Sequence, residues 1–271
     1  MYFVNRWLQT VDDQPGICKH TIDSLGKKNR TDPENYTNCT LVIDAMSIKK
    51  HQQWVPSEQK VVGVVDLGGG IDDADSIANE ALVLMAVGIR KRWKAPVSFH
   101  FTKGLTSETQ KTLILDAIEQ LYHVGLHVHV IICDGCATNL ATLNQLGCSI
   151  PERVMFTHPQ TQQEIFVMLD PVHMIKVLRT CFGDNKTLDT PDGRVDWRHI
   201  TTLHSMQQDG QVHLANKIRK QHIDYSSNKM KVKLATQVFS LSVADAITTL
   251  ENIGYPEFRG ASATAKFLKV S

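Results

Sequence analysis

Short apolar runs punctuate the first two thirds of the chain, and their period predicts a sheet covered by helices. Residues 41–46 and 126–133 are rich in Leu, Val and Ile, the pattern of buried strands. Residues 60–67 predict another strand, as do residues 96–102, where Val97, Phe99 and Phe101 alternate. The run 81–89 fits either a strand or a buried helix, because periodicity does not separate the two at that length. Residues 106–123 carry Leu113, Ile114, Ala117, Ile118 and Leu121 at the 3.6-residue period of a helix, and Gly125 closes it. A helix over about 137–146 and a strand over 164–169 complete the alternation. Residues 1–40 predict a short helical lead-in followed by a polar loop over 27–38. After Leu67, the glycines at 68–70 and the acids at 72, 73 and 75 read as a turn and an acidic loop. Neither G-x-x-x-x-G-K-[ST] nor G-x-G-x-x-G occurs there.

The pattern changes at Asp170. Helical signals cover 171–182, 199–206, 216–222 and a long stretch over 231–251, with a hairpin or loop at 187–196 marked by Asp192-Gly193. The chain therefore divides into a lead-in over 1–40, an α/β region over 41–169 and a largely helical region over 170–271.

Composition narrows the functional classes. With 271 residues and 42% hydrophobic content the chain can bury full cores, so disorder is not the theme. A formal net charge of +1 supplies no global basic field, and any contact with DNA must rest on local patches. Lys49-Lys50, Arg90-Lys91-Arg92 with Lys94, the stretch 217–220, and Lys229, Lys231 and Lys233 are the candidates, each equally readable as a solvated face. No apolar stretch reaches the roughly 18 residues that span a bilayer, and the first residues lack a signal-peptide core. The reading is a soluble, intracellular protein without membrane partners. Six cysteines without a disulfide framework agree with a reducing compartment. Cys133 and Cys136 form C-x-x-C, but no second ligand pair stands at zinc-finger spacing. Cys133 reads as a small core residue and Cys136 as the start of the next helix.

The chemistry concentrates in two aspartates, Asp44 and Asp134, each at the end of an apolar run. A carboxylate closing such a strand is costly to bury and commonly faces a cation. A single Asp after a strand also serves as a loop or helix cap. Two of them, on strands that a sheet sets side by side, form half of a metal site, the arrangement of RNase H-like nucleases and transposases. There the carboxylates hold two Mg²⁺ ions that activate the attacking oxygen and neutralise the leaving one.

Three motifs carry a wider resemblance: Ile43-Asp44-Ala45-Met46-Ser47-Ile48-Lys49, Cys133-Asp134-Gly135-Cys136-Ala137-Thr138-Asn139, and the run from Asp170-Pro171-Val172-His173 to Arg179. With Leu214-Ala215-Asn216-Lys217, the run from Lys229 to Gln237 and Ser242-Val243-Ala244-Asp245-Ala246, their order and spacing resemble the P element transposase family, which includes the THAP-domain-containing transposases of animals. The resemblance runs from about Leu41, and more weakly from Trp7, to the end of the chain.

The resemblance implies an RNase H-like mixed sheet with helices, interrupted after its fifth strand by a largely helical insertion that binds GTP without hydrolysing it. It implies cutting and joining of DNA by two-metal phosphoryl transfer. Asp44 and Asp134 match two of three catalytic carboxylates that bind Mg²⁺ or Mn²⁺, and the third, a glutamate, is expected beyond Ser271. The insertion over 170–271 is accordingly expected to be truncated, and the chain to be inactive alone. Cys18, Cys39 and His20 offer no ligand set for the family's zinc-coordinating domain. Lys217, Lys231, Val232 and Ser240 match the family's GTP contacts, and two lysines with a hydroxyl suit phosphate. Asn216-Lys217 resembles the N-K-x-D guanine motif, with Arg219 at the Asp position. Partners implied are transposon-end and target DNA, GTP and a possible second copy, and the implied location is the nucleus.

Alternatives stay open at this point. The chain can be a non-catalytic, domesticated or degraded relative that binds nucleic acid, nucleotide or a protein. An independent nuclease would need another carboxylate, with Asp66 and Asp170 the nearest in sequence. His173 and Lys176, at i and i+3 of a helix, can reach a ligand or serve the structure.

Overall fold

The computed structural model describes residues 14–56, 59–68, 72–210, 214 and 216–269, with 72–75 described by backbone. The chain forms two compact units, Met1–Asp170 and Pro171–Ser271.

The first unit is built on a sheet whose strand order is β10-β11-β9-β2-β7-β8-β5-β6, comprising β2 (Asn38–Ser47), β5 (Val64–Asp66), β6 (Asp72–Ile77), β7 (Glu80–Gly88), β8 (Lys94–Thr102), β9 (His127–Cys133), β10 (Met155–Thr157) and β11 (Glu164–Leu169), with the two-residue β1 (Gly16–Ile17) against β8. Strand β2 lies at its centre. It pairs antiparallel with β7, Ile43 opposite Leu84, and parallel with β9, Val42 opposite Ile132. Strand β11 runs parallel to β9 on its other side. The β2–β9 ladder shifts register between Cys39 and Thr40, where β9 holds the extra residue His129. Along β2 the buried side chains are Cys39, Leu41 and Ile43, so alternation points them into the core and leaves Asp44 on the opposite parity.

Helices close that core: α1 (Lys19–Thr31), the single turn α2 (Pro33–Tyr36), α3 (Ser107–His123) and α4 (Ala137–Gln145). The apolar stripe of α3, from Leu113 to Leu121, is buried with Leu41, Leu84 and Ile131. Its start is capped by the Thr106 hydroxyl, which accepts the Thr109 N–H at 3.2 Å.

Three expectations need correction here. The expected loop over 27–38 is helical through Thr31, because its polar residues are the wet side of an amphipathic helix. Ile22 and Leu25 of α1 are buried, and Asn29 ties the helix down by donating to the Gly125 carbonyl at 2.8 Å. The single strand expected over 60–67 is broken at Gly63. Its φ is +91°, and a Cβ there would stand 1.8 Å from the His51 carbonyl oxygen. The piece before it, β4 (Lys60–Val62), pairs with β3 (Gln53–Val55), and the piece after it joins the main sheet as β5. The acidic stretch expected to be a loop is strand backbone, β6, paired with β5. The ambiguous run 81–89 is a strand, since β7 has a hydrogen-bonding partner on each side. Gly69 and Gly70 lie outside the described residues.

The second unit is helical apart from the hairpin of β12 (Thr187–Thr190) and β13 (Gly193–Asp196). Its helices are α5 (Pro171–Asn185), α6 (Arg198–Gln208), α7 (Lys220–Ile223), α8 (Val232–Val238), α9 (Leu241–Ile253) and α10 (Ser262–Lys269). Trp197 anchors the core, 2% exposed, with its ring edge-to-face against Phe182 at 5.1 Å and Tyr225 at 5.6 Å. The helix expected over 216–222 is only the short α7, because the Asn216 side chain takes the Ile218 N–H at 3.0 Å and holds a turn instead. The long helix expected over 231–251 is two. Phe239 turns into the core, 4% exposed, and Ser240 is extended before α9 begins. Among the described residues no helix is long and apolar enough to cross a membrane.

Candidate functional site

Parallel register brings the two aspartates together. Val42 faces Ile132, so two residues further on Asp44 reaches the level of Asp134, just past the end of β9. Both line one cavity of about 420 Å³ at the carboxyl ends of β2 and β9, with Glu80, Thr102, Gln110 and Asn139 also on its wall. Asp44 is exposed, and its Oδ1 accepts the N–H of Ala45 at 2.9 Å. Asp134 Oδ1 accepts two hydrogen bonds, from the Cys136 N–H at 3.0 Å and from the Asn139 amide at 2.7 Å.

Glu80 is a cavity carboxylate that sequence reasoning missed. It stands at the start of β7, opposite Ser47 and Thr102, just outside the apolar run whose secondary structure was ambiguous. The signal that could have found it is the hairpin pairing of residues 80–88 with 94–102, not any motif. Asp66 and Asp170 are not on the wall of this cavity. Among the described residues, no three carboxylate, imidazole or thiolate groups converge as a ready metal site. Asp44 and Asp134 nevertheless form a hard oxygen donor pair, which fits Mg²⁺ or Mn²⁺ better than a soft metal.

The neighbouring thiols are neutral groups in the metal-free chain. Burial, with the Asp134 charge next to it, pushes the Cys133 thiol up to about 12, and burial also raises Cys136. Both are therefore protonated near neutrality. Cys133 is a core residue and Cys136 occupies the cap position of α4.

In the second unit, Lys217, Lys231 and Val232 line a cavity of about 650 Å³ together with Arg219, His222, Lys233 and Gln237. Among the described residues, four cationic side chains line this wall and no acidic one does. That composition suits a polyanion. Ser240 is not on the wall. Its hydroxyl donates to the Gln237 carbonyl at 3.0 Å, and Gln237 in turn accepts from His222 Nε2 at 2.9 Å. Arg219, which departs from the N-K-x-D pattern, adds a cation where that motif would have placed an acid. Lys233 and His222 complete the wall and were not singled out for this role. His173 and Lys176, both partly buried on α5, line neither cavity.

The segment leading to Lys231 is pinned from α5. Arg179, fully buried, donates to the Lys229 carbonyl at 2.9 Å and lies 4.9 Å over the Tyr225 ring, whose hydroxyl donates to Asp184 at 2.6 Å. Gly183 makes the fit possible, since a Cβ there would meet the Tyr225 ring at 2.3 Å. In the first unit, the basic cluster after β7 is partly neutralised: Arg90 pairs with Glu34 at 2.8 Å and Lys91 with Asp32 at 3.4 Å.

The path β8-β7-β2-β9-β11, antiparallel at β7 and parallel from β2 onward, with helices on the buried face and carboxylates at the ends of β2 and β9, defines an RNase H-like unit, followed by a helical one. Family comparison agrees. The TNP-like RNase H N-terminal domain matches residues 13–147 and the TNP-like GTP-binding insertion domain matches 172–271. The chain belongs to the P element transposase family.

Two relatives and one solved structure illustrate the likeness. The human (Homo sapiens) DNA transposase THAP9 is 28% identical over 270 residues, which cover 97% of this chain and 30% of that protein. The transposable element P transposase of Drosophila melanogaster is 27% identical over 267 residues, covering 98% of this chain and 33% of that protein. The Drosophila P element transposase strand transfer complex superimposes with a TM-score of 0.82 at 26% identity, over 99% of this chain and 56% of that one. The chain thus spans about a third of these two relatives' length.

Proposed function

We propose that this chain works within a DNA transposase, with Asp44 and Asp134 as two of the carboxylates that hold Mg²⁺ or Mn²⁺ for DNA strand cutting and joining, and with the second unit holding GTP as a bound cofactor. The lead-in over 1–40 and the region 41–169 then belong to the catalytic part, and 170–271 to the nucleotide-binding insertion. The observation that carries this reading is the convergence of Asp44 and Asp134, 90 residues apart in sequence, on one cavity at the ends of adjacent parallel strands.

When bound, a divalent ion supplies Lewis acidity toward a phosphodiester oxygen. The protein's own part is to hold its carboxylates. Asp44 is carried on a strand paired on both sides, and Asp134 is fixed by the backbone N–H of Cys136 and the Asn139 amide. In the second unit, Lys217, Arg219, Lys231 and Lys233 neutralise phosphate charge, and Ser240 acts through the Gln237 backbone rather than by lining the cavity. DNA, GTP and a second copy of the chain are the partners, and the nucleus is the place of action.

The test is titration of the purified 271-residue chain with Mn²⁺ and, separately, with GTP, alongside a strand-cleavage assay. Both ligands are expected to bind, GTP weakly, and no DNA cleavage is expected. Two-metal chemistry needs more ligands than two aspartates supply, and losing one leaves several kcal/mol of charge stabilisation unmade. Non-specific DNA affinity is expected to be modest and to fall steeply with salt. Robust Mg²⁺-dependent nicking lost in Asp44→Ala would overturn the expected inactivity. GTP binding without any Mn²⁺ binding would instead favour a non-catalytic relative.

A further inference from the structure

Three polar side chains are buried between α3 and α4: Gln110 is 3% exposed, Asn139 8% and Thr142 1%. Polar groups so placed are costly unless hydrogen-bonded, and these are bonded to one another in a row that ends on Asp134. The Asn139 amide donates to Asp134 Oδ1 at 2.7 Å, the Gln110 amide donates to Asn139 Oδ1 at 2.5 Å, and the Thr142 hydroxyl stands 3.0 Å from Gln110 Oε1.

Charge fixes the direction of the row. An ionised carboxylate only accepts, so Asn139 must turn its NH₂ toward Asp134 and its oxygen toward Gln110. Gln110 must then present its own NH₂ to that oxygen, leaving its carbonyl for Thr142. Neither amide can flip without setting two acceptors against each other. We infer that Gln110 and Asn139 are positioning residues for Asp134, a two-amide relay from α3 through α4 that holds the carboxylate in the orientation it offers to a divalent cation. The inference rests on Asp134 being a metal ligand, as proposed above. Outer-shell hydrogen bonds of this kind orient metal-binding carboxylates and tune their affinity.

The experiment is a double-mutant cycle on Mn²⁺ affinity in the 271-residue chain, with Asn139→Leu, Gln110→Met and both together. Asn139→Leu is expected to weaken Mn²⁺ binding by about 10–100-fold. Gln110→Met, close to isosteric, is expected to weaken it by a smaller factor, about 3–10-fold, because Asn139 keeps its contact and loses only its anchor. The double variant is expected to bind no worse than Asn139→Leu alone, since the hydrogen bond of the Gln110 amide is to Asn139 and that of Asn139 to Asp134. A plain packing role would lower the melting temperature of both variants and leave the Mn²⁺ affinity at the parent value, and that result would overturn the relay, as would losses that add.

A metal-free readout separates the two ideas. The carboxyl-carbon resonance of Asp134 is expected to move in Gln110→Met, and an unmoved resonance would overturn the relay. A parent protein that takes up no Mn²⁺ would overturn the reading of Asp134 as a ligand, with the relay then decided by the resonance alone.

Discussion

The two cavities are opposite in charge and in construction. The cleft of the first unit brings Asp44 and Asp134 to one level at strand ends, with Glu80 elsewhere on its wall, and a sheet paired on both sides fixes the backbone there. The cavity of the second unit gathers Lys217, Arg219, Lys231 and Lys233 on a turn, a short helix and the segment between them. Strand register positions the acids, whereas the cations depend on side-chain tethers from elsewhere, such as Arg179 on the Lys229 carbonyl. Rigid placement suits a small ion with fixed coordination demands, and a cationic wall suits a larger, multiply charged ligand.

The largest expected effect tests whether the two cores are independent. Trp197→Ala removes the anchor of the second core and should cost about 3–5 kcal/mol. On heating, this variant is expected to lose GTP binding well before it loses Mn²⁺ binding, and simultaneous loss would show that the two regions unfold as one. Next comes the exchange of ligands between sites. Lys217→Glu with Lys231→Glu should weaken GTP binding by about 10–100-fold, the worth of one or two charge-assisted contacts, and leave Mn²⁺ affinity within about twofold. Asp44→Asn should do the reverse, and isothermal titration of each variant with each ligand would break the comparison if either substitution touched both.

Acid should affect the regions alike. His100 in the first unit and His199 in the second are both held below the usual imidazole range, burial being the main cause. His100 Nδ1 donates to the Leu67 carbonyl at 2.6 Å, and His199 Nδ1 lies 2.8 Å from the Thr264 hydroxyl. Because the folded state resists protonation, the stability that depends on a neutral ring is complete above the ordinary pKa of about 6.5 and is lost as pH falls below it. Each histidine can contribute at most about 1.4 kcal/mol per pH unit to that slope. Urea melts at pH 7.5 and 5.5 should show it, and His199→Phe should flatten it. The smallest effect belongs to the surface: Glu34→Ala breaks an exposed ion pair with Arg90 and should shift stability by about 0.5 kcal/mol or less.

How much of this was legible follows from what sets each element. The α3 stripe and the strands around Asp44 and Asp134 could be read directly, because burial imposes a period on the residues themselves. The breaks at Gly63 and Phe239 could not. The first depends on the His51 carbonyl crowding the position where a Cβ would stand, and the second on Phe239 preferring the core to a continued helix. Glu80 and His222 escaped for the same reason. Each joins its cavity through a partner segment, and a linear pattern records no partners. Residues 27–31 misled in the other direction, since a polar helix face and a polar loop have the same composition.

His129, the extra residue in β9, works as a phase setter. Before it the strands align Cys39 with Val128, and after it Thr40 with Val130, so one residue changes the count for everything downstream. On the earlier count Asp44 would stand level with Cys133, a buried thiol, instead of Asp134. Strands repeat every two residues, so that slip would also turn the neighbouring side chain to the other face of the sheet. Removing His129 would only straighten the ladder, Val128 then running into Val130, and would leave Asp44 level with Asp134, whereas one residue added between Val130 and Cys133 would put the two aspartates out of step. Spacing in this chain is thus written in the length of a strand as much as in the identity of its acids: deleting His129 should spare Mn²⁺ affinity, and adding a residue between Val130 and Cys133 should lower it as much as losing Asp44.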